Sequence, residues 1–248
     1  MNLPARLVSD KRFKLLLFFA TGLILDGALL SQLIMQVSGG PRNEAMDFSE
    51  QVPEEVAELA IFPDGLPPFI SSGGIFVPEK IFFNIGIGLG GLLFCLCGIE
   101  LFLRTHHVLR QGRSLVLPMF CNLGQCLMAI LVGGCLFMLT RHPFDVSFKM
   151  HVLYANSIFY GSLAWGLLLI LSRMGLDREL SCCDWPLNRL RWLLLAVGII
   201  CFALMLTLVT RLQFNAAALF EWLMTFSTLG LALTLLPIVR TDESQTSD

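Results

Sequence analysis

Four ionisable side chains sit inside long apolar runs: Asp26, Glu100, His151 and Glu221. A charge in hydrocarbon is costly, so each marks either a function or a paired structural contact. Helical rise past the basic start carries Asp26 close to a bilayer midplane. There it suits a carboxylate coupled to a proton or substrate, or a protonated acid bonded to an amide such as Asn84 or Asn156. Glu100 stands one turn before Arg104, the spacing of an ion pair at a helix end. Glu221, followed by Trp222, and His151 approach the same side from two different spans. They could meet at a mouth there, either as a structural pair joining two helices or as a pair gripping a ligand. Span four also carries Asn156, and its Ser157 and Gly161 form a small-residue face suited to helix packing.

Motifs for other chemistry are missing. Of the four histidines, 106, 107 and 142 fall in connectors, and no His, Asp or Glu set has metal-ligand spacing. The sequence contains no nucleophile elbow, phosphate loop or dinucleotide fingerprint. No catalytic residue, cofactor or metal is therefore expected, and the expectation for an enzyme is more no than yes. The net charge of −2 gives no reason to expect a nucleic-acid partner.

The elements that must position these groups are membrane spans. Hydrophobic residues make up 55% of the chain and charged ones 15%, with a mean hydropathy of +0.73. Such values belong to a polytopic membrane protein. Apolar runs predict an all-α bundle of six transmembrane helices at about 15–37, 81–103, 115–139, 150–171, 192–209 and 216–239. Residues 1–240 then form one domain, and 241–248 a disordered polar tail. The first run is too long for a signal-peptide core. Between spans one and two, residues 38–80 form an acidic loop in which 50–60 could hold a short helix. Basic residues gather at the N-terminus and in the 104–113 and 173–191 connectors, so the positive-inside rule places both termini in the cytosol and the acidic loop in a lumen or outside the cell. Gly86 and Gly90, one turn apart in span two, would let a neighbouring backbone approach. The eight cysteines lie mostly in spans, which argues against a disulfide framework. Adjacent Cys182 and Cys183, close to the membrane, suit S-palmitoylation or stand as two unmodified thiols.

Three segments in order resemble the damage-regulated autophagy modulator (DRAM) family, within the DRAM/Frag/Sfk superfamily of six-span proteins. Pro68, Phe69, Ile70, Ser71, Ser72, Gly73 and Gly74, then Pro78, Glu79 and Phe82, are similar to its P-Y-I-S-D-T-G and P-E loop signature. His151 with Ala155 and Phe159 resembles an H-x-x-G-A-x-x-x-F pattern in which Tyr154 replaces the glycine. Glu221-Trp222 resembles the motif opening the last span. Ser72 stands where the family often has Asp, and the 38–66 loop is longer and more acidic. The resemblance implies a modulator of autophagy, lysosomal or membrane-lipid processes acting through contacts with membrane lipids or other membrane proteins. Elsewhere in the superfamily it implies remodelling of GPI-anchor lipids, for which Asp26, His151 and Glu221 are the acid and base candidates. A small proton-coupled transporter using Asp26 ranks last, because no three-span repeat is visible. The expected location is an endomembrane, lysosome or Golgi, or the plasma membrane.

Overall fold

The computed structural model describes residues 5–38, 40–111, 116–182 and 184–239. The expected tail and Cys183 lie outside the described residues. Six long apolar helices make up the body: α1 (Asp10–Ser38), α2 (Glu79–Gln111), α3 (Val116–Arg141), α4 (Phe148–Arg173), α5 (Leu187–Val209) and α6 (Phe214–Leu233). All six are long and apolar enough to cross a membrane. Helix α5 begins directly after Pro186, whose missing N–H costs nothing at a helix start. Helix α6 stops at Leu233, short of 239. The Thr234 hydroxyl turns back to the Leu231 carbonyl, and Pro237, which has no N–H to give, opens a short 3-10 turn.

Helices α1 to α4 pack as a consecutive row, and α5 pairs with α6. Glycines set the closest crossings. A Cβ on Gly27 would stand 2.7 Å from the Gly86 Cα, and one on Gly90 would meet Ile24 Cγ1 at 2.6 Å. Residue numbers fall along α1 as they rise along α2, so the two run antiparallel with backbones nearly touching. Gly91 repeats the arrangement against the Gly133 carbonyl of α3, 2.7 Å from the Cβ it lacks. The expected role of Gly86 and Gly90 is thus realised, with Gly27 as the partner.

The 40–78 segment folds over one end of the bundle. A two-residue antiparallel ladder joins β1 (Met46–Asp47) to β2 (Ile61–Phe62). Between them run 3-10 turns at Ser49–Gln51 and Glu54–Ala60, where a short helix is expected from the sequence. Under this cap lies an aromatic core in which Phe144 sits 5.3 Å from Phe48, 5.4 Å from Phe62 and 4.7 Å from Phe148. Arg42 locks the cap to the start of α2 through Nε at 2.6 Å and a terminal nitrogen at 2.8 Å to the fully buried Glu79 carboxylate. Those bonds hold the Arg42 guanidinium above its ordinary value, against the opposing pull of burial.

At the opposite end, two polar networks tie the helices together. Arg104 bonds Glu100 at 2.7 Å, reaches Asp10, donates to the Val8 carbonyl at 2.7 Å and lies over the Phe13 ring. Glu100 also accepts the Leu7 N–H at 2.8 Å. The pair expected at a helix end therefore also anchors the segment entering α1. In the second network Asp177 takes a bidentate bond from Arg173 at 2.8 Å and one from Arg191 at 2.7 Å. Arg173 continues to Thr105 of α2, and Arg191 to Thr234 beyond α6.

Candidate functional site

The segment 67–74, which ends in a 3-10 turn at Ile70–Gly74, is held as a strap across the capped end of the bundle by side chains far away in sequence. Glu221 Oε2 accepts the Ile70 N–H at 3.0 Å, and the Trp222 indole N–H reaches the Pro68 carbonyl at 3.2 Å. From the other side, Gln32 of α1 donates to the Phe69 carbonyl at 2.5 Å and approaches that of Ile70 at 3.5 Å. Strap backbone groups, which no strand or long helix satisfies, thus find partners in the helices. Gly73 lies where a Cβ would strike Ser31 of α1, so only glycine lets the strap settle this deeply. The motif residues Pro68, Ile70, Ser71, Gly73 and Trp222 accordingly meet at one place. Pro78 and Glu79 belong instead to the Arg42 lock at the start of α2.

Beneath the strap, α4 and α6 barely meet, and the gap widens into a cavity with about 880 Å³ of empty space, its mouth included. One wall, from α2 and α3, is apolar and includes Ile87, Phe94, Val132 and Leu136. The α6 wall carries Glu221, Thr225 and Thr228, spaced to share one helix face. Ser71 closes the strap end, and Trp165 of α4 is buried with its indole N–H lacking an acceptor among the described residues. The result is a slot between helices with one polar edge, a carboxylate near its strapped end, and grease elsewhere.

The other candidates do not join Glu221. His151 is buried, but its Nδ1–H donates to the His142 carbonyl at 2.9 Å and its ring packs edge-on against Phe144 at 5.3 Å. It seals the entry to α4 under the cap, while Glu221 faces the strap, so the expected pair does not form. Asp26 is exposed on the outside of the bundle. A helix turns about 100° per residue, which puts it opposite Ile24 and Ala28, the α1 residues at the cavity. Neither Asn84 nor Asn156 bonds to it among the described residues, and the buried Asn84 Oδ1 is itself without a donor. Cys182 is partly exposed on the short ladder before α5. Among the described residues, no three His, Cys, Asp or Glu side chains gather as metal ligands.

Sequence reasoning missed Gln32, although an amide inside an apolar span is a visible signal. It also missed the buried cluster of Arg173, Asp177 and Arg191, whose charges read as an ordinary basic connector. A family model, described as the Frag1/DRAM/Sfk1/Cwh43P N-terminal domain, matches residues 13–237. Comparison with curated proteins and with solved structures gave no match.

Proposed function

The chain belongs to the Frag1/DRAM/Sfk1/Cwh43P family, and from that premise we propose that it is a non-enzymatic membrane protein that holds a lipid chain in the slot beneath its strap. The supporting observation is the cavity between α4 and α6, apolar along α2 and α3 and edged by Glu221, Thr225 and Thr228. Within the family it takes the DRAM-type place, modulating autophagic, lysosomal or membrane-lipid processes from an endomembrane or the plasma membrane. Both termini lie in the cytosol and the acidic cap on the other side.

The test is lipid carried by the intact chain. Purified into native nanodiscs, the wild type should retain lipid, and filling the slot with Ala155→Phe and Thr228→Phe should lower that content about tenfold while leaving helicity and elution unchanged. Equal lipid content in the filled variant, or steady turnover of lipid by the wild type, would overturn the reading.

Remodelling of GPI-anchor lipids is the alternative within the family, but its acid and base candidates do not converge. Asp26 faces outward, His151 is committed to the His142 carbonyl, and Glu221 stands at the strap. The outward Asp26 also fails to line a path for a transporter. Unchanged surface levels of GPI-anchored proteins in cells lacking the chain are the expected result.

A further inference from the structure

Glu221 is a carboxylate with too little company. It is 6% exposed, and among the described residues its one partner is the Ile70 N–H. Among the described residues, the arginines that are not exposed are committed elsewhere: Arg42 to Glu79, Arg104 to Glu100 and Asp10, Arg173 and Arg191 to Asp177. A single neutral N–H does not balance an ionised acid removed from water. The Thr228 hydroxyl spends its proton on the Thr225 carbonyl at 3.0 Å and so offers the slot an acceptor, while the Trp165 indole N–H is a donor without an acceptor among the described residues. Glu221 also sits only two turns into α6, about 10 Å below the helix start, within reach of a head group from the capped-side leaflet.

We propose that the slot selects a lipid whose head carries a protonated amine, a long-chain base, with its ammonium against Glu221 and its chain along the apolar wall of α2 and α3. This rests on the lipid-binding reading above. From Glu221 to Ala232, both at the cavity, α6 runs about 16 Å, so the apolar wall continues along the bundle below the carboxylate. A chain moving from bilayer to slot exchanges hydrocarbon for hydrocarbon, so its burial discriminates little. Selection falls to the head. An ammonium brings three donors and an opposite charge, and charge-assisted bonds are roughly twice as strong as neutral ones. An alcohol brings one neutral donor, and a fatty acid brings a second carboxylate that Glu221 repels.

The test uses three probes with one saturated C18 chain, octadecylamine, octadecanol and stearate, added to the full chain in phosphatidylcholine nanodiscs at neutral pH and counted by native mass spectrometry. The amine should occupy a single saturable site with about tenfold higher affinity than the alcohol, and stearate should bind least. Glu221→Gln keeps an acceptor for the Ile70 N–H and should bring the amine down to the level of the alcohol. Asp26→Asn, on the outer face, should leave the ratio unchanged. Equal binding of amine and alcohol by the wild type overturns the amine preference alone, and needs no variant to fold. A ratio that survives Glu221→Gln overturns it too. Failure of all three probes sinks the lipid-binding reading, and this preference with it.

Discussion

Among single residues, Asp26 and Gln32 show how little side-chain type says without a direction. Both are polar groups in the same apolar span, ten ångströms or so apart at helical rise, yet one points to the outside of the bundle and the other grips the strap. Charge made Asp26 the conspicuous candidate, while the decisive quantity was the angle of its Cβ about the helix, which fifteen or so apolar neighbours on every side do not reveal. Asp26→Leu should therefore raise thermal stability in lipid or leave it unchanged, since an acid on a lipid-facing surface costs up to about 2.5–3.5 kcal/mol, the value at a helix centre on insertion scales. A clear fall in melting temperature would mean that this side chain has polar company. Gln32→Leu should do the reverse. It removes the side-chain donor from the Phe69 and Ile70 carbonyls, leaving Phe69 the Ser72 N–H at 3.0 Å, and should cost about 1–2 kcal/mol. Trp222→Phe, which loses one bond to the Pro68 carbonyl at a partly buried site, should cost about 1 kcal/mol. Protease nicking within 67–74 would report both, faster in Gln32→Leu than in Trp222→Phe.

Individual helices were legible where hydrophobic length or small residues dictate the outcome. Six spans follow from composition, although α5 starts at Leu187, directly after Pro186 and ahead of the expected 192. The glycines of α2 announced a close neighbour but not its identity, because the sequence does not say which helix a flat face meets. Contacts now separate glycines that need their bareness from those that do not. At Gly86 a new Cβ would press on the Leu23 carbonyl at 2.6 Å and on the Gly27 backbone at 2.9 Å. Backbone cannot swing aside as a flexible side chain does, so Gly86→Ala should prise α1 from α2 and cost about 1–3 kcal/mol. At Gly22 and Gly134 nothing lies within 4 Å of the added carbon. Alanine there should be neutral or gain up to about 1 kcal/mol, as glycine in a helix is otherwise unfavourable. Denaturation in a fixed detergent would compare the three, and a Gly22→Ala loss matching that of Gly86→Ala would contradict the crossing described here.

Over the whole molecule, the fold reads as a bundle pinned at both ends with a slot between. The cap, strap and Arg42–Glu79 pair close one end, and the arginine networks close the other. Of these only the Glu100–Arg104 pair, one turn apart, is read from the sequence. The slot exists where α4 and α6 fail to touch, and the contacts of Arg42 with Glu79, Arg104 with Asp10 and Arg191 with Thr234 join residues whose separation in the chain hides them. Asp177 is the measurable part of the second pin. Burial pushes its carboxyl up, but the hydrogen bonds and charge of Arg173, joined by Arg191, more than offset that and hold it below the ordinary 3.8. A carboxyl depressed in the folded state contributes stability that is fully present above its unfolded value and is lost as pH falls through the folded one. Asp177→Asn should therefore cost about 3 kcal/mol at neutral pH, since two buried guanidinium groups lose their shared counter-charge. The gap in melting temperature between wild type and variant should stay constant down to about pH 4 and close below it as the wild-type carboxyl takes up its proton. Because Thr105, Arg173, Arg191 and Thr234 draw α2, α4, α5 and the end of α6 into one knot, that loss should appear as loosening of all four together, read as faster amide exchange at each helix end rather than at α4 alone. A gap that persists unchanged to pH 3 would show that the aspartate's charge does not hold the knot.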